Sequence, residues 1–170
     1  MAHPTQRDFF NKVKNKFPNK FKDISVVDFG SLDVNGSLKS MFENSSYIGV
    51  DIVSGRNVDV ISKAHEYKSD SIDIIVSGEM LEHDQFWKES LDNMYSLLKL
   101  GGLMAISCGG LNRLEHGTKR TGNIWGTDEN YYRNITEKDF YDWVKDKDFM
   151  EYEISTYINK FDTYFWGIKY

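Results

Sequence analysis

Two apolar runs, closed by two different kinds of chemistry, constrain this chain more than any other feature. Val26-Val27-Asp28-Phe29 runs into Gly30-Ser31-Leu32-Asp33-Val34-Asn35-Gly36. About 20 residues further on, Tyr47-Ile48-Gly49-Val50 ends at Asp51, the spacing of a ribose-binding acid from its glycine loop. A strand that ends in a glycine loop, then a strand that ends in an acid, opens a doubly wound α/β sheet built around a ribose-bearing ligand.

The loop narrows the ligand further. A dinucleotide site repeats glycine so that backbone N–H groups can approach a pyrophosphate. Here only Gly30 and Gly36 are glycine, and Asp33 lies between them. A carboxylate beside a pyrophosphate is repelled by about 4 kcal/mol per charge pair at ~4 Å and an effective dielectric of ~20. A cationic ligand reverses that sign. S-adenosylmethionine joins a ribose to a sulfonium and an ammonium, so an acid-bearing loop suits it.

The length of 170 residues gives enough chain for one substantial core, and one domain over 1–170 is expected. Hydrophobic content of 40% and aromatic content of 15% favour a folded globule over disorder. A net charge of −5 argues against a sequence-independent grip on nucleic acid, which needs clustered Lys and Arg. Cys108 is the only cysteine, so no internal disulfide framework exists, and a reducing cytoplasm is the expected setting. Met1-Ala2-His3-Pro4-Thr5-Gln6 shows no signal-peptide pattern, and no apolar run approaches the roughly 20 residues that cross a bilayer.

Along the chain, Phe9, Phe10, Val13 and Phe17 mark a short basic amphipathic helix that Pro18 ends, packed on the sheet edge or serving as part of a lid. Strands are expected at Ser25–Phe29, Tyr47–Val50, Val58–Ile61, Ile72–Val76 and Leu103–Ser107. Leu38, Met41 and Phe42 suggest a short helix. Phe86, Trp87, Leu91, Met94, Leu97 and Leu98 form the stripe of a longer one, which Gly101-Gly102 would end. Thr136-Glu137-Lys138-Asp139 reads as a capped helix start. Glu151–Ile158 and Phe161–Tyr170 read as a closing antiparallel hairpin with a turn at Asn159-Lys160. The expected fold is a doubly wound Rossmann-like, mostly parallel sheet of about seven strands. Residues 109–133 are long, polar and aromatic, which in a compact domain points to function.

These residues resemble the class I S-adenosylmethionine-dependent methyltransferases. Asp28-Phe29-Gly30 is similar to the opening of that family's first motif, and Asp51 to its ribose acid. Ser71-Ile72-Asp73-Ile74-Ile75-Val76-Ser77-Gly78-Glu79-Met80-Leu81-Glu82-His83 resembles its fourth strand and following loop. Leu98-Lys99-Leu100-Gly101-Gly102 is similar to its L-K-P-G-G signature, with Leu100 where proline is usual. The resemblance implies that Asp28 orients the loop and reaches the methionine ammonium, and that Gly30 admits the ligand. It implies that Asp51 accepts both ribose hydroxyls, that Ile52 packs on adenine, and that Ser77 and Glu79 stand in the crevice. Ser31, Asp33 and Asn35 are further loop contacts. Lys63 stands near the place where many relatives carry an adenine-binding acid. Lysine cannot accept a hydrogen bond, so that task would fall to the backbone of Ala64 and His65.

Methyl transfer from a sulfonium needs alignment and, for an oxygen or nitrogen acceptor, a base. His83 and His116 are the candidates; the plain alternatives are a helix-start histidine and an exposed loop histidine. Glu79 and His83 stand four apart, but two ligands without a clear third predict no metal. Arg113, Arg120, Trp125, Tyr131, Tyr132 and Arg133 read as a clamp for a planar, sugar-like or anionic acceptor, or else as packing. Cys108 reads as a small buried residue rather than a nucleophile. No Asn-Pro-Pro-Tyr or Asp-Pro-Pro-Tyr follows the fourth strand, which argues against a nucleic-acid base as acceptor. The expected activity is methylation of a small molecule or a glycan or lipid-linked precursor, releasing S-adenosylhomocysteine. Two alternatives are a cofactor-binding regulatory module without turnover and an NAD-dependent enzyme.

Overall fold

The computed structural model describes residues 4–122, 130–157 and 160–170. Seven strands form one sheet in the order β3-β2-β1-β4-β5-β7-β6. They are β1 (Ser25–Phe29), β2 (Ser46–Asp51), β3 (Val60–Ile61), β4 (Ile72–Gly78), β5 (Leu98–Gly109), β6 (Phe149–Thr156) and β7 (Asp162–Lys169). The first five run parallel, while β7 lies antiparallel between β5 and β6. The doubly wound sheet with a closing hairpin is therefore as the sequence predicts. Trp125, Ile158 and Asn159 lie outside the described residues.

The central strands bury both faces, and alternation sends successive side chains into two cores. Val27, Phe29, Ile75, Met104 and Ile106 face α2 (Trp87–Leu97) and α3 (Glu137–Val144). Val26, Ile74, Val76, Leu103 and Ala105 face α1 (Pro4–Lys16), which contributes Phe9, Phe10 and Val13. That helix begins earlier than its apolar stripe suggests. Pro4 opens it, a residue suited to a first turn that lacks an acceptor for its N–H. Thr136 caps α3 as expected, its hydroxyl accepting from the Asp139 N–H and the Asp139 carboxylate closing a reciprocal box.

Gly101-Gly102 do not end an element. They sit inside β5, where the pairing with β4 shifts register between Ile72 opposite Leu98 and Ile74 opposite Leu103. Gly101 takes φ +71°, and the extra residues bulge out with Leu100 79% exposed. Beyond the bulge the strand continues directly into the core. Among the described residues no helix is long and apolar enough to cross a membrane.

Candidate functional site

Strand order reverses at β1: β2 follows on one side, β4 on the other. Ligands bind outside the carboxyl ends of strands at such a point. There a cleft of about 910 Å³, measured to its open mouth, is walled by Phe29, Leu32, Val50, Ile52, Ala64 and Met80. Gly30, Asp51, Glu79, His83 and His116 complete the lining that the sequence predicts. A smaller chamber of about 360 Å³ shares Gly30, Leu32 and Gly78 with the cleft and reaches Asp28 and Ser31 behind it.

Asp51 ends β2 with its carboxylate fixed by backbone. The N–H of Leu32 donates to one oxygen at 3.1 Å and that of Val53 to the other at 3.3 Å. Each oxygen keeps a second acceptor position. Burial raises its pKa, against those N–H bonds. Asp28 is more deeply placed, and the Tyr47 hydroxyl donates to its carboxylate. Burial raises the Asp28 carboxyl to about 7, the Tyr47 bond opposing. Tyr47 is a residue the sequence reading missed; its only signal is a phenol two positions from an acidic strand's register partner, visible once β1 and β2 are paired.

Gly30 adopts φ +79°, and a Cβ there would stand 2.6 Å from Met80 Cβ. The glycine is therefore required by the protein's own packing as well as by any ligand. Ser31 is buried, and its hydroxyl has no hydrogen-bond partner. Asp33 serves its own loop, accepting from the Gly36 N–H at 2.7 Å and pairing with Arg56 at 2.9 Å. Asn35 is exposed. Ala64 lines the cleft, but its carbonyl accepts from Asn93 at 2.7 Å. The His65 ring lies against Phe86, with centroids 4.4 Å apart, and does not line the cleft. Ser77 is fully buried beneath the site with an unpartnered hydroxyl.

The other side of the cleft gathers charge. Glu79 follows β4 at φ +55°, a left-handed conformation uncommon for a non-glycine residue. Its carboxylate meets the Arg113 guanidinium at 3.2 Å, and the same guanidinium meets Asp162 at 3.2 Å. Thr5 and Tyr164 also donate to Asp162. Glu82 stands three residues after Glu79 and is fully buried. Burial lifts its carboxyl to about 7, and burial together with the Glu82 charge raises Glu79 well above the usual range. Burial, then His116 and Arg113, hold the His83 imidazole down to about 3, so it is neutral. Burial also lowers His116, whose Nδ1 lies 3.0 Å from the Leu114 carbonyl. A carbonyl only accepts, so Nδ1 carries the proton and Nε2 keeps its lone pair. The two imidazoles and the Tyr132 ring pack edge to face at 4.9–5.4 Å.

The expected arginine clamp is committed elsewhere. Arg113 is drawn into the buried acids, Arg120 pairs with Glu115 at 2.7 Å, and Arg133 pairs with Asp139 while stacking on Trp87. Cys108 is fully buried. The sequence reading also missed Glu82 and Asp162, although Glu79-Met80-Leu81-Glu82-His83 carries two acids one helical turn apart in an apolar setting.

The methyltransferase domain family matches residues 1–150. The chain belongs to this family. Its members bind S-adenosylmethionine. Among solved structures, the methyltransferase domain is similar to the N-methyltransferase NodS of Bradyrhizobium japonicum WM9 in complex with S-adenosyl-L-homocysteine. They share 11% identity over 99% of this chain and 89% of that one, with a TM-score of 0.62. The 1,6-didemethyltoxoflavin-N1-methyltransferase of Burkholderia thailandensis, with its namesake substrate and S-adenosylhomocysteine bound, is similar at 13% identity over 99% and 91%, TM-score 0.60. The CurJ carbon methyltransferase is similar at 14% identity over 94% of this chain, TM-score 0.64; this chain spans about half (51%) of its length. Such identities speak for the fold. No curated protein matches the chain by sequence.

The residues of this methyltransferase domain fit the cofactor. An acid with spare acceptor positions ends β2, apolar walls offer a slot for a base, and a buried acid with an unpartnered Ser31 hydroxyl beside it backs the smaller chamber.

Proposed function

We propose that this methyltransferase domain, acting as one unit over 1–170, methylates an oxygen or nitrogen of a small molecule or of a glycan or lipid-linked precursor. The observation that carries the reading is Asp51, held by two backbone N–H groups at the lip of an apolar cleft whose opposite lip bears His83 and His116. S-adenosylmethionine, when bound, supplies a methyl carbon already activated by a positive sulfur. Asp51 accepts the ribose hydroxyls as a charge-assisted pair. Ile52 and Ala64 pack on the base, and Asp28, reached through the smaller chamber, takes the ammonium. The walls exclude water and align the acceptor, a contribution worth about 7–11 kcal/mol in favourable cases. His116 Nε2 is the better placed base, because the lone pair on the more deeply buried His83 has little affinity for a proton. General-base assistance is worth about 10²–10⁴-fold. A reducing compartment such as the cytoplasm suits the lone buried thiol.

A cofactor-binding module without turnover is the second reading, favoured by Lys63 at the cleft wall and by the arginines being tied up internally. Calorimetry with S-adenosylmethionine, paired with an assay of S-adenosylhomocysteine release over a panel of hydroxyl and amine acceptors, separates the two. Binding with acceptor-dependent release is expected; binding with no release on any acceptor selects the module. His116→Ala should cut kcat while leaving cofactor affinity intact, and the reverse pattern would make it a cofactor residue.

A further inference from the structure

We propose that Glu82, His83 and His116 form a binding site for one divalent transition-metal ion on the acceptor side of the cleft. One ligand atom from each side chain lies within 4.8 Å of the others. Glu82 and His83 come from the 3-10 turn after β4, and His116 from the long loop after β5. The sequence offers only Glu79 and His83 at a suitable spacing. The fold turns Glu79 toward Arg113, puts Glu82 in its place and carries His116 across. Ligands bonded to one ion at about 2.0–2.2 Å stand roughly 3 Å apart, so the trio would draw in slightly on binding. His116 is half-buried on a loop and has the room to do so.

The independent observation is Glu82 itself. It is 0% exposed, and neither carboxylate oxygen has a partner at hydrogen-bond geometry. A carboxylate taken out of water this way is expensive unless paired or coordinated. Its own N–H and that of Gly109 favour the charge, but among the described residues no cation reaches it at salt-bridge distance. Three carboxylates (Glu79, Glu82, Asp162) gather about one guanidinium, Arg113, which already bridges Glu79 and Asp162. The Leu114 carbonyl engages His116 Nδ1 and leaves Nε2 free to ligate, as outer partners of metal-bound histidines do. Two imidazoles with one carboxylate suit Zn²⁺, Mn²⁺, Fe²⁺ or Co²⁺ rather than Ca²⁺. With the ion bound, the His116 Nε2 lone pair is taken by the metal and the base role proposed above belongs to the metal-free domain; because His83 and His116 line the cleft, the ion's remaining positions face the acceptor. Its influence on an oxygen acceptor rests on the methyl-transfer reading; the binding of the ion does not.

The test uses the full chain, stripped with chelator and titrated with Mn²⁺ and Zn²⁺ by calorimetry, with and without S-adenosylhomocysteine. One ion per chain is expected. Glu82→Gln and His116→Ala should each weaken it by more than about tenfold, since even outer-shell partners of metal ligands are worth that much. Both variants should keep their affinity for S-adenosylhomocysteine, so a failed metal site and a failed cofactor site give different results. Metal-free Glu82→Gln should melt no lower than wild type, because it removes an unpaired buried charge. Should that variant not fold, His116→Ala decides, together with Co²⁺-induced shifts of the His83 and His116 ring resonances in the wild-type chain. No binding of either titrated ion, binding unchanged in the variants, or unshifted histidine resonances would overturn the proposal.

Discussion

The ribose lip and the histidine lip of the cleft are each backed by acids largely withdrawn from water, yet these are satisfied in opposite ways. On the ribose lip, Asp51 takes two backbone N–H groups and Asp28 a tyrosine hydroxyl, all from β1, β2 and the loops that follow them. On the histidine lip, Glu79 and Asp162 share one arginine, and the fully buried Glu82 makes no salt bridge among the described residues. On the reading proposed above, the first receives the cofactor with its acceptors already held by backbone and tyrosine, and the second is where a cation would bind. The same fold would thus separate a half for a constant ligand from a half for a variable one.

The comparison breaks most visibly at Arg113. Arg113→Met strands Glu79 and Asp162, and should cost about 3–5 kcal/mol in urea unfolding, as removing one member of a buried ion pair does. A loss under about 1 kcal/mol, the scale of an exposed pair, would show that the cluster is wetter than its burial implies. Asp51→Ala should next weaken cofactor binding by about 2–5 kcal/mol in calorimetry. Unchanged affinity would dismiss the ribose lip as the receptor. Gly30→Ala forces a side chain into a left-handed conformation against Met80 and should destabilise by about 1–3 kcal/mol in thermal or denaturant unfolding. Wild-type stability there would mean the loop relaxes freely.

The smallest effect per step of the measurement is a pH slope. Burial lifts the folded Asp28 carboxyl to about 7, against 3.8 in the open chain. Between these values the folded state keeps a proton that the unfolded state has lost. Stability from this group is therefore greatest below about pH 4 and declines as pH rises through 7, by at most about 1.4 kcal/mol per pH unit. The difference in unfolding free energy between wild type and Asp28→Asn, followed from pH 4 to 8, measures it. A cationic ligand ionises Asp28, so binding near pH 6 should release a proton to the buffer.

Legibility follows the same division. β1 falls at Ser25–Phe29 as its pattern predicts, because a buried parallel strand writes its burial into consecutive residues. Asp28, Gly30 and Asp51 sit at strand ends and can be located from those runs alone. The bulge at Gly101-Gly102 was read as a stop, since two glycines look alike whether a strand begins or buckles there. Asp33 was read as a ligand contact from its position in the loop, but its carboxylate is used by Gly36 and Arg56. The acid cluster was illegible for a different reason. Glu79, Arg113 and Asp162 come from three distant segments, and no local pattern encodes a contact between them. Glu79 and Glu82 stand a turn apart beside Met80 and Leu81, but that local pattern does not say which of them meets Arg113.

Asp162 also joins regions of very different age in synthesis. Thr5, 157 positions earlier, donates to it, and Phe9 stacks on Tyr164 at 4.7 Å. Helix α1 thus leaves the ribosome long before the strand on which it rests exists. Its aromatic face must wait, uncovered or chaperoned, until β7 is released, and folding of this domain is concluded only after that strand has been made.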